Sequence, residues 1–404
     1  MNKKITTIDL FAGCGGLGDG FEQSGFYETL AVVEWEEAPL SSYENRLRNK
    51  WGYKNAHEMS LLFDIQRTDE LLNGWNDEKY GQSKGLKYLT NKKGVDLVVG
   101  GPPCQAYSVA GRVRDANGMR DDYRNYLFES YVKIVGELKP KAFVFENVPG
   151  ILSAKPDGTP IIDRIKKAFD DIGYAIIGDL RKAVIHMEEY GVPQKRDRVI
   201  ILGLNKAVFG DDANELVKKF YSCILPKYKT IKPLTVRDAI GDLPPLYPID
   251  NGGKQSHSFS NPPVPNHEPR YHSKRDVEIF GLLANDIESG KRRYTSTASL
   301  KELYFEKTGK QSEFHKYHVL EWNSPSTLIP AHLWKDGLRH IHPDPKQART
   351  ITVREAARLQ GFPDDFVFTG SRSDNYKMIG NAVPPLFSKV LALALKEMIF
   401  NVVL

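Results

Sequence analysis

The sequence predicts an α/β protein: a mostly parallel sheet with helices on both faces, plus a smaller, loop-rich second domain. Three observations predict it. Short continuous Val/Ile/Leu runs alternate with helical stretches over the first two hundred residues, as in sheets buried on both faces. A glycine run follows the first apolar run. After about Asn205, proline, histidine, tyrosine and charge become dense while periodicity fades. In order, Ile5–Leu10 reads as a buried strand, Gly20–Ser24 as a helix and Leu30–Glu34 as a second strand. Val95–Gly100 and Ala142–Glu146 are further strands, with helical spacing over Tyr126–Leu138 between them. Ile161–Phe169 is a helix, and Ala175–Asp179 and Val199–Leu204 are strands. Thr352–Gln360 is a short helix, and the prolines at 384 and 385 open a longer amphipathic one (LFSKVLALALKEMIF).

The 404 residues carry 56 Lys+Arg against 51 Asp+Glu, a net charge of +5, with 41% hydrophobic and 26% charged residues. These are globular values and exclude wholesale disorder. No apolar run approaches the roughly 18 residues of a membrane helix, and Met1–Leu10 holds no leader-like apolar core, so no membrane role is expected. Cys14, Cys104 and Cys223 cannot all pair, which suits a reducing cytoplasm and a cytoplasmic location. A pI near 8.8 permits a nucleic-acid partner.

The chemistry starts at Asp9-Leu10-Phe11-Ala12-Gly13-Cys14-Gly15-Gly16-Leu17-Gly18. Glycines just after a first strand let a ligand approach the backbone, and Glu34, 21 positions after Gly13, stands where a carboxylate grips ribose hydroxyls. Trp35 offers a face for adenine. The combination favours an adenosine-type cofactor over a structural turn, with dinucleotide and S-adenosylmethionine both open. Gly100-Gly101-Pro102-Pro103-Cys104-Gln105 ends another strand, and two prolines present the thiol on a stiff tether. A buried, inert cysteine needs neither the prolines nor the Gly- and Arg-rich stretch Ser108–Asp122, which has the length of a closing loop. Glu146-Asn147-Val148-Pro149 leaves the same sheet edge, and Gln194-Lys195-Arg196-Asp197-Arg198 abuts the strand after it.

Together with Arg354-Glu355-Ala356-Ala357-Arg358-Leu359-Gln360-Gly361-Phe362-Pro363 and Gly380-Asn381-Ala382-Val383-Pro384-Pro385, these segments resemble the ordered motifs of the cytosine-5 DNA methyltransferases of restriction–modification systems. The resemblance spans nearly the whole chain. It implies a Rossmann-like, S-adenosylmethionine-dependent methyltransferase sheet over 1–204, completed by 371–404, with a target-recognition domain over 205–370. It implies that Cys104 is the nucleophile, Glu146 the acid at the cytosine ring and Arg198 its partner, with Arg196 and Gln194 bracing this catalytic loop and the one carrying Cys104. It places the cofactor on Phe11, Gly13, Gly15, Glu34, Trp35, Asp64, Ile65 and Asn381. Cys14 takes no catalytic part.

The implied partners are S-adenosylmethionine without a metal, double-stranded DNA from which the target base is flipped, and a separate cognate endonuclease; the chain is expected as a monomer. The alternatives are an RNA cytosine-5 methyltransferase of the same fold or a catalytically silent DNA-binding homologue. In the second domain, His315 and His318, or His340 and His342, lack cysteine or carboxylate partners at metal-site spacing and read as ordinary polar contacts. Arg339, His340, Lys346, Arg349, Arg354 and Arg358, with Trp334 and Phe362 nearby, read as a basic stretch for DNA or a solvated face, with Leu359 and Phe362 turned inward.

Overall fold

The computed structural model describes residues 3–103, 127–155, 158–250, 253–313 and 316–400. Cys104, the Ser108–Asp122 stretch and His315 lie outside them. The chain divides into two compact units: Met1–Tyr190 with Arg196–Ile231 and Ala382–Leu404, and Gly191–Lys195 with Lys232–Asn381. The first unit therefore reaches past the expected boundary at 204 and resumes at 382, where 371 was expected. The reason is local: helix Asp212–Lys219 buries Ala213 and Val217 and packs on the sheet strand before it.

The first unit is built on an eight-stranded sheet. Its strands are β1 (Ile5–Leu10), β2 (Tyr27–Glu34), β3 (Ser60–Leu62), β6 (Leu97–Gly100), β7 (Ala142–Asn147), β8 (Tyr174–Ile176), β9 (Val184–His186) and β10 (Asp197–Asn205); β4 (Trp75–Asp77) and β5 (Gly81–Ser83) form a separate hairpin. The order is β3-β2-β1-β6-β7-β10-β8, with β9 also on β10. The first five run parallel, and β10 is antiparallel to all its neighbours. The apolar run Val199–Leu204 thus forms a strand but reverses direction. The Met187 N–H donates to Arg196 O at 3.0 Å, closing the short connection from β9, and so short a link joins only antiparallel strands.

Two packing contacts fix the helices on this sheet. Phe143 of β7 stacks on Phe169 of helix Ile161–Asp171 with centroids 4.1 Å apart. Helix Gly16–Gln23 lies against the terminal helix Pro385–Leu395, where Gly20 leaves room for Ser388, and the Tyr27 hydroxyl donates to Ala392 O at 2.8 Å.

The second unit is less irregular than its sequence suggests. Helices Lys274–Glu288 and Thr297–Thr308 stand where a loop-rich texture was expected, each capped by a serine (Ser273 to the Asp276 N–H, Ser296 to the Ser299 N–H). They share a core of Ile279, Phe280, Leu283, Leu300 and Leu303 with Val319, Ile341 and Ala348. Helix Val353–Leu359 starts from a Thr352/Glu355 capping box and buries Leu359 beside Phe362, as expected.

Candidate active site

The parallel strands bring the chain ends that carry Phe11, Glu34 and Glu146 to one edge. Leu10 pairs with Val33 and Gly100, Glu34 with Leu62, and Gly100 with Phe145, so β3, β2, β1, β6 and β7 all end side by side. In open sheets of this kind the carboxyl edge is where ligands bind.

At the β1–β2 side the backbone curls through left-handed conformations at Phe11 (φ 55°), Gly13 (φ 56°) and Gly15 (φ 84°). Gly13 has open space where a Cβ would stand, whereas a Cβ on Gly15 would strike the Tyr43 ring. Gly13 is therefore the open member of the cradle, and Gly15 is needed for packing. The Glu34 carboxylate closes the turn: Oε2 accepts from the Gly13 N–H at 2.8 Å, and Oε1 from Trp35 and Glu36 at 2.9 and 3.0 Å. Burial raises the Glu34 pKa, and these three donors oppose the rise. Trp35 leaves 55% of its surface exposed. The Phe63 N–H donates to Glu34 O at 3.0 Å, so Asp64 and the buried Ile65 follow directly beside Glu34; Asp64 Oδ1 accepts from the Gln66 N–H at 3.0 Å.

Two contributors carried no role in the sequence reading. Buried Asp9 accepts from the Gly18 N–H through Oδ2 at 3.1 Å, while among the described residues its Oδ1 has no partner. Burial pushes its pKa up to about 8. Tyr43 packs behind Gly15 and Gly18. No local pattern marks Tyr43, which arrives from helix Glu37–Asn49.

On the β6–β7 side, Arg198 Nε lies 2.8 Å from Glu146 Oε1, with side-chain exposures of 12% and 13%. A Cβ on Gly101 would stand 2.5 Å from Glu146 Oε2, so the carboxylate rests on the backbone that leads into Pro102-Pro103. Asn147 Nδ2 donates to Pro102 O at 3.2 Å and ties the two strand ends together. Arg196 is buried and turned elsewhere: it donates to Ala382 O at 3.1 Å, bracing the start of β10 against the chain that enters the terminal helix. In the next residues of that chain, Val383 O and Ala382 crowd Gly16. Asn381 itself is the exposed last residue of helix Arg372–Asn381, in the second unit. Gln194, also in the second unit, donates to Gln360 Oε1 and accepts from the Ile329 N–H.

His186 Nδ1 meets Asp197 Oδ1 at 2.7 Å near the half-buried Glu188 of the turn Met187–Tyr190, and the ligand-type atoms of the three lie within 4.8 Å of one another.

The basic stretch of the second unit does not form one surface. Arg349 is buried in a bidentate pair with Glu355 (2.7 and 2.6 Å), and Arg354 is buried donating to Pro265, Pro363 and Phe366 carbonyls. His340 is buried and donates to Leu328 O, and Arg358 is paired with Asp242 and Asp364. Arg339 and Lys346 stay exposed.

The sequence matches the family C-5 cytosine-specific DNA methylase over residues 5–397. It is 35% identical to the type II methyltransferase M.Bpa9945I of Bacillus paralicheniformis, covering 98% of this chain and 99% of that one. It is 31% identical to M1.HphI of Haemophilus parahaemolyticus, covering 98% and 88%. Among solved structures, a predicted DNA modification methyltransferase from an E. coli prophage shares the fold with a TM-score of 0.64 at 24% identity, covering 98% of this chain and all of that one. The S. pombe Dnmt2 methyltransferase does so with a TM-score of 0.53 at 14% identity, covering 98% and 100%. The glycine cradle, the Arg198–Glu146 pair and a match running almost end to end agree, and the chain belongs to the C-5 cytosine-specific DNA methylases.

Proposed function

We propose that this enzyme methylates one cytosine of a specific duplex sequence, drawing the methyl group from S-adenosylmethionine through a covalent Cys104 adduct. The observation that carries the reading is Arg198 holding Glu146 against Gly101, three residues before Cys104. The first unit is the catalytic and cofactor-binding part, and the second is the target-recognition part.

Carbon 5 of cytosine is a weak nucleophile. Addition of the Cys104 thiolate to carbon 6 makes it enamine-like and able to take a methyl group. Glu146 donates a proton toward ring nitrogen 3 as the thiolate adds, and Arg198 orients Glu146 and reaches the ring carbonyl oxygen. Loss of the carbon 5 proton to water then expels the Cys104 sulfur as thiolate, and the nitrogen 3 proton returns to Glu146, which restores the ring. The cofactor, when bound, supplies an electrophilic methyl sulfonium. The cradle fits it: Gly13 leaves open space, Glu34 presents a carboxylate toward ribose hydroxyls, and Trp35 and Ile65 offer apolar faces to adenine, with Asp64 for its amino group. Phe11 and Gly15 shape the cradle, and Asn381 is assigned to it from the last motif. Arg196 serves as a brace and not as a group on the ring.

The substrate is double-stranded DNA with the target base swung out of the stack. The enzyme acts as a monomer in the cytoplasm and protects sites cut by a separate endonuclease. Incubation with labelled S-adenosylmethionine and plasmid DNA, followed by mapping, should yield 5-methylcytosine at one recurring sequence and none on tRNA. Cys104→Ser should abolish product while cofactor binding persists, and a 5-fluorocytosine duplex should trap the wild-type enzyme. Full turnover by Cys104→Ser would overturn the covalent route.

A further inference from the structure

The second unit carries an exposed tryptophan on a turn that is held unusually firmly. Trp334 ends the short turn Ala331–Trp334, with Leu333 buried behind it and 37% of the Trp334 surface exposed. Arg270 pins the turn from below, donating to Leu333 O at 2.6 Å and Trp334 O at 2.9 Å. The Arg270 guanidinium lies 4.2 Å from the centroid of the Tyr376 ring, which is buried on helix Arg372–Asn381. On the same helix, Gly380 lies so close to the Pro330–Ala331 backbone that a Cβ would collide with it. A single exposed apolar side chain needs no explanation. One whose backbone is fixed by an arginine, an aromatic ring and a glycine contact is a positioned group.

Its charge setting points the same way. The ammonium groups of Lys377 and Lys335 lie 5.2 and 5.7 Å from the Trp334 ring centroid. Among the described residues Lys377 has one ion-pair partner, Asp374 at 3.5 Å, and both partners of that pair are exposed, so the contact is weak. Among the described residues the Trp334 indole N–H has no hydrogen-bond partner. Two cations around one aromatic face favour a polyanion that also presents flat apolar surface. In DNA, phosphates supply the first and the sugar–base face the second.

We infer that Trp334, flanked by Lys335 and Lys377, is a DNA contact of the second unit: the indole packs on a sugar–base face and the two lysines meet phosphates. The inference rests on DNA being the substrate. The test is binding of a fluorescent duplex containing the mapped site, measured across a salt series. Trp334→Ala should weaken binding roughly tenfold or more, and Trp334→Phe should recover most of the loss. Lys335→Gln and Lys377→Gln should each lower the slope of log K against log salt by about 0.9. Cofactor binding and the melting temperature should stay near wild type, because all three side chains are at the surface. Wild-type affinity and slope in Trp334→Ala, Lys335→Gln and Lys377→Gln would overturn the assignment while leaving the methylation reading intact. Failure of the wild-type enzyme to methylate DNA at all would instead strike that reading.

Discussion

Asp9 shows how a residue can serve a cradle at a cost to stability. Its Oδ2 holds the Gly18 N–H, yet Oδ1 is buried without a partner and burial pushes the pKa from 3.8 up to about 8. The folded state keeps the group protonated where the unfolded chain ionises it. The penalty is therefore absent below about pH 4 and grows as pH rises toward 8. Asp9→Asn keeps an acceptor for Gly18 and removes the ionisation, so its melting temperature should exceed that of wild type by a margin that widens between pH 5 and pH 8. Glu355 is the opposite case. Burial works to raise its pKa, but the adjacent Arg349, His342 and His267 hold it below the usual carboxylate range. Arg349→Ala would strand a buried carboxylate and should destabilise the second unit by about 3–5 kcal/mol in denaturant titrations. From sequence, Arg349 and Arg354 look like any basic pair near a DNA-binding region. Their burial depends on partners such as Pro265, 89 positions away from Arg354, and no local pattern reports that.

Among the elements, helix Gly16–Gln23 depends on glycine in a way propensity scales do not anticipate. In an ordinary helix, Gly→Ala stabilises by about 1 kcal/mol. At Gly18 a Cβ would collide with the Tyr43 hydroxyl and stand 2.7 Å from Asp9 Oδ2. Gly18→Ala should therefore destabilise by about 1–3 kcal/mol. Tyr43→Phe, which removes the obstructing oxygen, should recover part of the loss in a double-mutant cycle. Strand positions were legible because Val/Ile/Leu runs such as Ile5–Leu10 and Ala142–Phe145 are long enough to need two covered faces. Strand direction was not. The run Val199–Leu204 has the same composition whichever way it points, and its reversal is set by the connection from β9. Helix Lys274–Glu288 was hidden by charges spread around its surface, and the structure adds its Ser273 cap on the Asp276 N–H. Glu146 and Arg198 were legible as a pair through the family resemblance, whereas Tyr43 reaches the site only through tertiary contacts.

At the scale of the whole molecule, the two units should respond to acid in opposite senses. In the second unit, burial lowers the pKa of His272 and of His342 to about 3 and that of His340 to about 4. Each is neutral when folded and takes up a proton when unfolded near 6.5. Its contribution is complete above that pH and declines as pH falls toward 3. Asp9 in the first unit moves the other way. Calorimetry at pH 5 should therefore show the second unit melting earlier relative to the first than at pH 8.

The Tyr27 hydroxyl closes on a carbonyl 365 positions further along, at Ala392, and helix Pro385–Leu395 covers helix Gly16–Gln23. During synthesis, then, helix Gly16–Gln23 must wait uncovered until helix Pro385–Leu395 has been made. A chain that stops before Pro385 should expose this face, and chaperone capture or proteolysis would claim it before any methylation began.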